Sequence, residues 1–147
     1  MWLAVRLEKG GCCMSVVEEA KTLLRMAYMD FRALTGMGDT EVFADEIFGF
    51  HAQQAIEKAL KAWLCFLAEQ YPLTHDLHRL LKLIENRSCE VERYYPMTQY
   101  SIFAVQARYE EGLLSTEEPL DRPQVIAEVQ DLLVHIEKII NTTQSND

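Results

Sequence analysis

The stretch from Phe50 to Phe66 constrains the fold more than any other part of the chain, because it reads as one helix with two different faces. At about 100° per residue, its alanines and bulky apolar side chains fall on one broad arc. Small and large residues alternate on that arc, so neighbouring helices can approach closely. A polar row lies opposite at spacings of three, four and three residues, and it consists of His51, Gln54, Lys58 and Lys61. The pattern predicts a central helix with a wide buried face and one solvent-exposed polar stripe.

Four further amphipathic segments accompany this helix, and no segment alternates with period two over enough residues to form a strand. Ser15 and Glu18 have the spacing of a capping box at the start of the first segment, and Asp121 followed by Arg122-Pro123-Gln124 has the form of a start for the last one. The sequence therefore predicts an all-α, five-helix bundle. The helices are expected at about 16–34, 39–71, 75–86, 97–111 and from 121 onward.

Residues 14–141 are predicted to form this bundle as a single domain. The stretch 1–13 has too short an apolar core for a signal peptide and lacks a small-residue cleavage site. Met14 is expected to be the natural start, with 1–13 a non-native or disordered leader. Residues 142–147 are expected to be a frayed tail.

Charge and cysteine content narrow the function classes. The net charge of −9 argues against non-specific nucleic-acid binding, and no apolar run approaches the length of a membrane span. Residues 51–108 carry a small positive balance, so an anion is best accommodated there. Cys65 and Cys89 make neither a CxxC motif nor a disulfide framework, which predicts a reduced, cytoplasmic protein.

Candidate anion contacts come from a second basic stripe and from one helix end. His75, His78, Arg79 and Lys82 share one side of the third predicted helix. Arg108, next to Tyr109, lies near the end of the fourth predicted helix. It serves there either as a phosphate contact or as a C-terminal cation that the helix dipole stabilises. The alternative for both stripes is that they are simply the solvated faces of outer helices.

Motifs that would indicate a catalytic or metal centre are missing from the sequence. His75 and His78 could supply two ligands from one helix face, but no third ligand stands at a diagnostic spacing. GxSxG, P-loop and GxGxxG patterns do not occur. No metal, no cofactor and no catalytic residue are therefore predicted.

Three pieces of the chain, in order, resemble the HEPN family (higher eukaryotes and prokaryotes nucleotide-binding domain). They are FHAQQAIEKALKAWL at 50–64, HDLHRLL at 75–81, and the run from Tyr100 to Ala107-Arg108-Tyr109. The resemblance extends from about Met14 to Ile140. It implies an up-and-down bundle of five helices that is often dimeric. It also implies that prokaryotic members often pair with a small nucleotidyltransferase, frequently as a toxin–antitoxin system.

Some members of the family are metal-independent ribonucleases with an R-x4-6-H motif. After Arg108 the required histidine would stand at 113, 114 or 115, and those positions hold Leu113, Leu114 and Ser115. The motif is missing, so the resemblance does not carry that activity to this chain.

The first hypothesis is a non-catalytic HEPN protein that forms a homodimer and binds a nucleotide, another phosphorylated ligand or a small nucleotidyltransferase. The second is a ribonuclease that combines Arg108 with a histidine from elsewhere in the bundle or from a second subunit, and the candidates are His51, His75 and His78. The third is a structural dimerisation module. Under the first hypothesis the ligand-binding residues are Gln54, Lys58, Lys61, His75, His78, Arg108 and Tyr109.

Overall fold

The computed structural model describes residues 15–104 and 118–144, and no strand occurs within those ranges. The predicted all-α bundle of five helices is confirmed. Within the described residues, four elements are α-helices and one, between α3 and α4, is a 3₁₀ helix. In chain order they are α1 (Val16–Gly36), α2 (Asp45–Phe66), α3 (Leu77–Glu85), the 3₁₀ helix (Glu92–Phe103) and α4 (Arg122–Gln144).

Helix α2 lies at the centre, because it packs against all four of the other elements. The thiol of Cys65 donates to the carbonyl of Val16, whereas His51 contacts Asp30, so α1 and α2 run antiparallel. Arg122 binds Asp45 at the start of both α4 and α2, and His135 meets Trp63 further along, so those two helices run in the same direction. Every residue of α2 from 52 to 65 except Lys58 is buried.

Hydrogen bonds at the helix starts explain where α1 and α3 begin. The hydroxyl of Ser15 accepts from the backbone N–H of Glu18 at 3.1 Å, and the Glu18 carboxylate accepts from the backbone N–H of Ser15 at 3.2 Å. The predicted capping box is present. Asp76 caps α3 by accepting from the backbone N–H groups of His78 and Arg79. The third helix therefore begins at Leu77, and His75 lies before it.

The second and fourth predicted helices also have different bounds in the structure. The second begins at Asp45 instead of 39, because 39–43 form a turn in which Phe43 donates its backbone N–H to the Asp39 carbonyl. It ends at Phe66, and residues 67–76 return along it to bring His75 beside Glu57. The fourth predicted helix, at about 97–111, is a 3₁₀ helix that begins earlier, at Glu92, and ends at Phe103, and residues 105–111 of the prediction lie outside the described residues. It contains Pro96, a residue that disfavours the interior of an α-helix.

Arg122 joins the ends of three segments from a buried position. Its guanidinium donates to the Met37 carbonyl at 2.7 Å, to the Phe43 carbonyl and to the Asp45 carboxylate at 2.9 Å. Its plane also lies over the ring of Phe48 at 5.0 Å. The side chain of the first residue of α4 thus binds the end of α1, the turn after it and the start of α2.

In the part of the chain that the structure describes, no helix combines the length and hydropathy needed to cross a lipid bilayer.

Candidate functional site

A buried carboxylate, that of Glu57, is the centre of the polar groups on α2. Glu57 is 1% exposed and accepts from Gln53 at 2.9 Å, from Lys61 at 3.3 Å and from Nδ1 of His75 at 2.6 Å. Gln54 donates to the side-chain carbonyl of Gln53 at 2.7 Å. Because a buried ion needs both an opposite charge and hydrogen-bond partners, this arrangement stabilises Glu57 and Lys61 together.

A second cluster joins α2 to α1 through Asp30. One oxygen of its carboxylate lies 3.0 Å from Nδ1 of His51 and the other lies 2.5 Å from the ammonium of Lys58. The side chains of Asp30 and Lys58 are 13% and 14% exposed. Charges so shielded from water attract each other far more strongly than charges on an open surface.

The sequence prediction of a solvent-exposed stripe on α2 is wrong for Gln54 and Lys61, which are 6% and 4% exposed. Lys58 is largely covered as well. The physical reason is that α2 has no outer face: α1 covers one flank, and the segment 67–76 covers the other. The polar side chains of α2 are thereby turned toward carboxylates of the protein itself, Asp30 and Glu57.

Tyr71 closes the second flank over Lys61. The Lys61 ammonium lies 5.8 Å from the centre of the Tyr71 ring, and the Tyr71 hydroxyl donates to Glu19 at 3.4 Å. Burial, followed by the charge of Glu19, raises the pKa of Tyr71 to about 12. Tyr71 therefore stays a neutral hydrogen-bond donor at physiological pH.

Of the two predicted polar stripes, the one on helix α3 is the one that faces solvent. His78, Arg79 and Lys82 are exposed. Lys82 pairs with Glu85 at 2.9 Å, and the ring of His78 lies 5.4 Å from that of Tyr95. The Arg79 side chain makes no hydrogen bond or ion pair within 15–104 and 118–144. The second basic stripe is thus exposed as predicted, apart from His75, whose side chain turns inward to Glu57 and is 29% exposed.

Arg108 and Tyr109, the remaining predicted site residues, lie outside the residues that the structure describes. The structure accordingly brings Gln54, Lys61 and His75 into one cluster around Glu57, places Lys58 in the neighbouring Asp30 cluster and sets His78 apart on α3. Among the described residues no three His, Cys, Asp or Glu side chains converge as metal ligands would.

A cleft of about 1310 Å³ opens where the ends of α2 and α3 meet α4. His135 lies in it, with its ring 5.3 Å from that of Trp63 and 5.8 Å from that of Tyr94. Burial lowers the pKa of His135, and the nearby charge of Arg93 lowers it further. The lining residues are Trp63, Leu67, Glu85, Cys89, Glu90, Val91, Glu92, Arg93, His135 and Ile139.

The family model for the HEPN domain matches residues 20–145, which is nearly the whole chain. The chain belongs to the HEPN family. The expected resemblance is therefore confirmed, and it covers the described elements of this HEPN bundle apart from the first turn of α1. Neither a curated protein nor a solved structure matches the chain significantly.

Sequence reasoning missed Glu57, Asp30 and Arg122, the three charged groups that organise the HEPN interior here. One signal was present: Gln53, Glu57 and Lys61 stand at i, i+4 and i+8, so they form a row of their own on α2. No local signal marks Asp30 or Arg122 as partners of residues far away in the chain. Chemically, the two carboxylates neutralise the cations of α2, and these cations are then poorly placed to bind an external anion.

Proposed function

We propose that this HEPN protein is non-catalytic and acts by binding, with the exposed side of α3 as part of the contact surface. The expected partner is a small nucleotidyltransferase, and a nucleotide or another phosphorylated ligand is the small-molecule form of the same recognition. His78 and Arg79 are the residues on which we place the contact. Arg108 and Tyr109 remain predicted contributors.

The observation that supports this proposal is which cations of the two predicted stripes have a carboxylate partner and which have none in the described part of the chain. Lys58 and Lys61 each have a carboxylate of the protein within 3.3 Å, so an incoming phosphate would have to displace it. Arg79 has no such partner in the described part of the chain, and arginine binds phosphate or carboxylate in bidentate fashion. The surface of α3 is a helix face and not an enclosed pocket, which favours a protein partner over a bound nucleotide.

Paired charge reversals test the surface. Arg79→Glu should weaken binding of a small nucleotidyltransferase encoded beside the gene by about tenfold or more, because like charges would then oppose each other across the contact. Arg32→Glu makes the same charge change at an exposed position on α1 and should leave the affinity nearly unchanged. Biolayer interferometry on the two purified proteins measures both. Equal affinities for the two variants would refute the α3 assignment.

The nucleotide form is tested separately by thermal unfolding with ATP or GTP at millimolar concentration. A ligand that binds only the folded state must raise the melting temperature. The shift should be lost in Arg79→Glu and kept in Arg32→Glu. If wild-type protein shows no shift with either nucleotide and no binding to the nucleotidyltransferase, the binding function is wrong.

A ribonuclease remains a second candidate because two imidazoles are held by carboxylates. Nδ1 of His75 lies 2.6 Å from Glu57 and Nδ1 of His51 lies 3.0 Å from Asp30. A carboxylate that fixes one ring nitrogen leaves Nε2 to move a proton, as a general base requires. Purified wild-type protein should then cleave RNA, and His75→Gln should not. Intact RNA after incubation with wild-type protein removes this candidate.

A homodimer, with or without a ligand, stays a prediction. Light scattering coupled to size exclusion should give twice the 17.0 kDa mass of the chain. The purely structural dimerisation module would be favoured if the dimer forms while Arg79→Glu and Arg32→Glu behave identically in every binding experiment.

A further inference from the structure

The cleft between α2, α4 and the chain that follows α3 has a lining of two kinds. Its floor is apolar and aromatic, made by Trp63, Leu67, Val91 and Ile139. Leu67 and Ile139 are only partly buried against the core, so apolar surface remains toward the cleft. Apolar surface left open to water in a concave site favours the binding of an apolar group.

The rim of the cleft is acidic. Glu90 and Glu92 are exposed, and within the described residues neither carboxylate has a hydrogen bond or an ion pair. Glu85 is already bound to Lys82 and to the Tyr95 hydroxyl, at 2.9 and 2.7 Å. The two open carboxylates are therefore the acidic groups that a ligand in the cleft would meet, and the cations Arg93 and Lys138, whose charges act on His135, lie nearby.

Arg93, the arginine in the cleft lining, shares its charge with groups of the protein. Arg93 lies 3.8 Å from Asp131, and its guanidinium carbon lies 4.7 Å from the centre of the Tyr94 ring. It also donates to the Tyr94 hydroxyl. An anionic ligand would thus be repelled by two open carboxylates and attracted by an arginine that also contacts Asp131 and Tyr94, whereas a cationic ligand could pair with Glu90 and Glu92 directly.

Size distinguishes between classes of cationic ligand. The cleft volume of about 1310 Å³ exceeds the range of roughly 300–1,000 Å³ in which small-molecule sites fall. Several side chains of an extended segment fill such a space better than one small amine does. Long basic side chains also lay their methylene stems on apolar surface while their charged ends reach carboxylates.

We propose that this cleft binds a peptide segment of a partner protein in which lysine or arginine side chains alternate with leucine-like residues. The apolar residues contact the floor at Leu67 and Ile139, and the cations pair with Glu90 and Glu92. The site is separate from the basic surface of α3 and selects the opposite charge, so it does not depend on the proposed function.

Charge reversal at the rim tests the proposal, with a fluorescein-labelled peptide GKLKLKG as the probe. Glu90→Lys with Glu92→Lys should weaken binding by about tenfold or more in fluorescence anisotropy. The control is Glu41→Lys with Glu118→Lys, two exposed positions near the start of α2 and of α4. These lie about 27 Å along α2 from Trp63, and the control should change the affinity less than twofold. Circular dichroism verifies that both variants are folded.

Two further measurements distinguish peptide recognition from non-specific surface electrostatics and from the binding of a small polyamine. The peptide GKAKAKG, which keeps the charge but loses the leucines, should bind at least fivefold more weakly than GKLKLKG, and spermidine at equal total charge should not displace the probe. Equal weakening by the rim and control variants, or equal binding of the two peptides, would show surface electrostatics only and overturn the proposal. Full displacement by spermidine would overturn it too, because the site would then take a small polyamine.

Discussion

Nδ1 of His75 lies 2.6 Å from a carboxylate oxygen of Glu57, although His75 stands nine residues after the last residue of α2 and Glu57 in the middle of that helix. The same carboxylate accepts from Gln53 and Lys61. Glu57 therefore ties the returning segment 67–76 to the centre of the bundle, and it supplies the negative charge that Lys61 needs at 4% exposure.

Replacing Glu57 by alanine should be strongly destabilising. The Lys61 ammonium would be left buried without its counter-charge, and Gln53 and His75 would lose an acceptor. Removing one partner of a buried ion pair costs about 3–5 kcal/mol. Urea denaturation, with the free energy of unfolding extrapolated to water, measures the loss.

Two controls accompany this prediction. Glu69 pairs with Arg87 at 2.7 Å with both side chains about 40% exposed, and Glu69→Ala should cost less than about 1 kcal/mol. Replacing both ions, as in Glu57→Leu with Lys61→Met, should recover much of the loss, because apolar side chains have no charge to leave unpaired. A cost below about 1 kcal/mol for Glu57→Ala would contradict the assigned role of the carboxylate.

The bundle was predictable from sequence because helical periodicity and capping are local. The arc of apolar residues on α2 predicts which side is buried, and Ser15 with Glu18 predicts where α1 begins. Periodicity does not reveal whether a second layer covers the polar arc as well. Here the segment 67–76 does so, and it contains no periodic pattern that would have indicated its path.

The exposure of the predicted site residues on α2 depends on that covering segment. For this reason the predicted exposure is wrong for Gln54 and Lys61. A lysine at a surface and a lysine beside a buried glutamate look alike in a helical wheel. Arg122 illustrates the same limit: the start of α4 was predicted from residues 121–124, but its bonds to Met37 and Asp45 join residues 85 and 77 positions apart.

Gly49→Ala should destabilise the fold even though alanine is the better helix former. A Cβ added at Gly49 would lie 2.5 Å from the ring of Phe103, so the 3₁₀ helix could not keep its place against α2. Overpacking of this kind costs about 1–3 kcal/mol, against a propensity gain of roughly 0.5–1 kcal/mol. Thermal and urea unfolding give the net change.

Gly36 is the matched control for this substitution, because a Cβ there would meet nothing within 4 Å. Gly36→Ala should be neutral or stabilise by up to about 1 kcal/mol. Combining Gly49→Ala with Phe103→Leu should cost less than the sum of the single changes, since the smaller side chain leaves room. Strict additivity would mean that the two residues do not contact each other.

Arg122→Lys should be far from conservative. Lysine can keep the ion pair with Asp45 but cannot also reach the carbonyls of Met37 and Phe43, which would lose their donor in a partly buried setting. Unsatisfied buried acceptors cost about 1–3 kcal/mol each. The free energy of unfolding should fall by at least about 2 kcal/mol, whereas Arg87→Lys, at an exposed pair, should change it by less than about 0.5 kcal/mol.

His135 should make the protein less stable as the pH falls below about 6.5. Burial, and then the charge of Arg93, lowers the pKa of His135 from its ordinary value of 6.5, with Lys138 acting in the same direction and Asp131 opposing. Between the lowered pKa and 6.5 the unfolded chain binds a proton that the folded chain does not. Stability therefore rises with pH across that window and falls on acidification.

The substitution His135→Phe isolates this contribution, because it removes the titrating group and keeps a ring between Trp63 and Tyr94. Urea denaturation of both proteins from about pH 5 to 7.5 gives two curves of unfolding free energy against pH. Other groups titrate in both proteins, so the test is the difference between the two curves. The free energy of unfolding of the wild-type protein should fall relative to that of the variant as pH falls below about 6.5. A difference that stays constant over the whole range would mean that His135 takes up its proton equally in the folded and unfolded states, and that the cleft does not desolvate it.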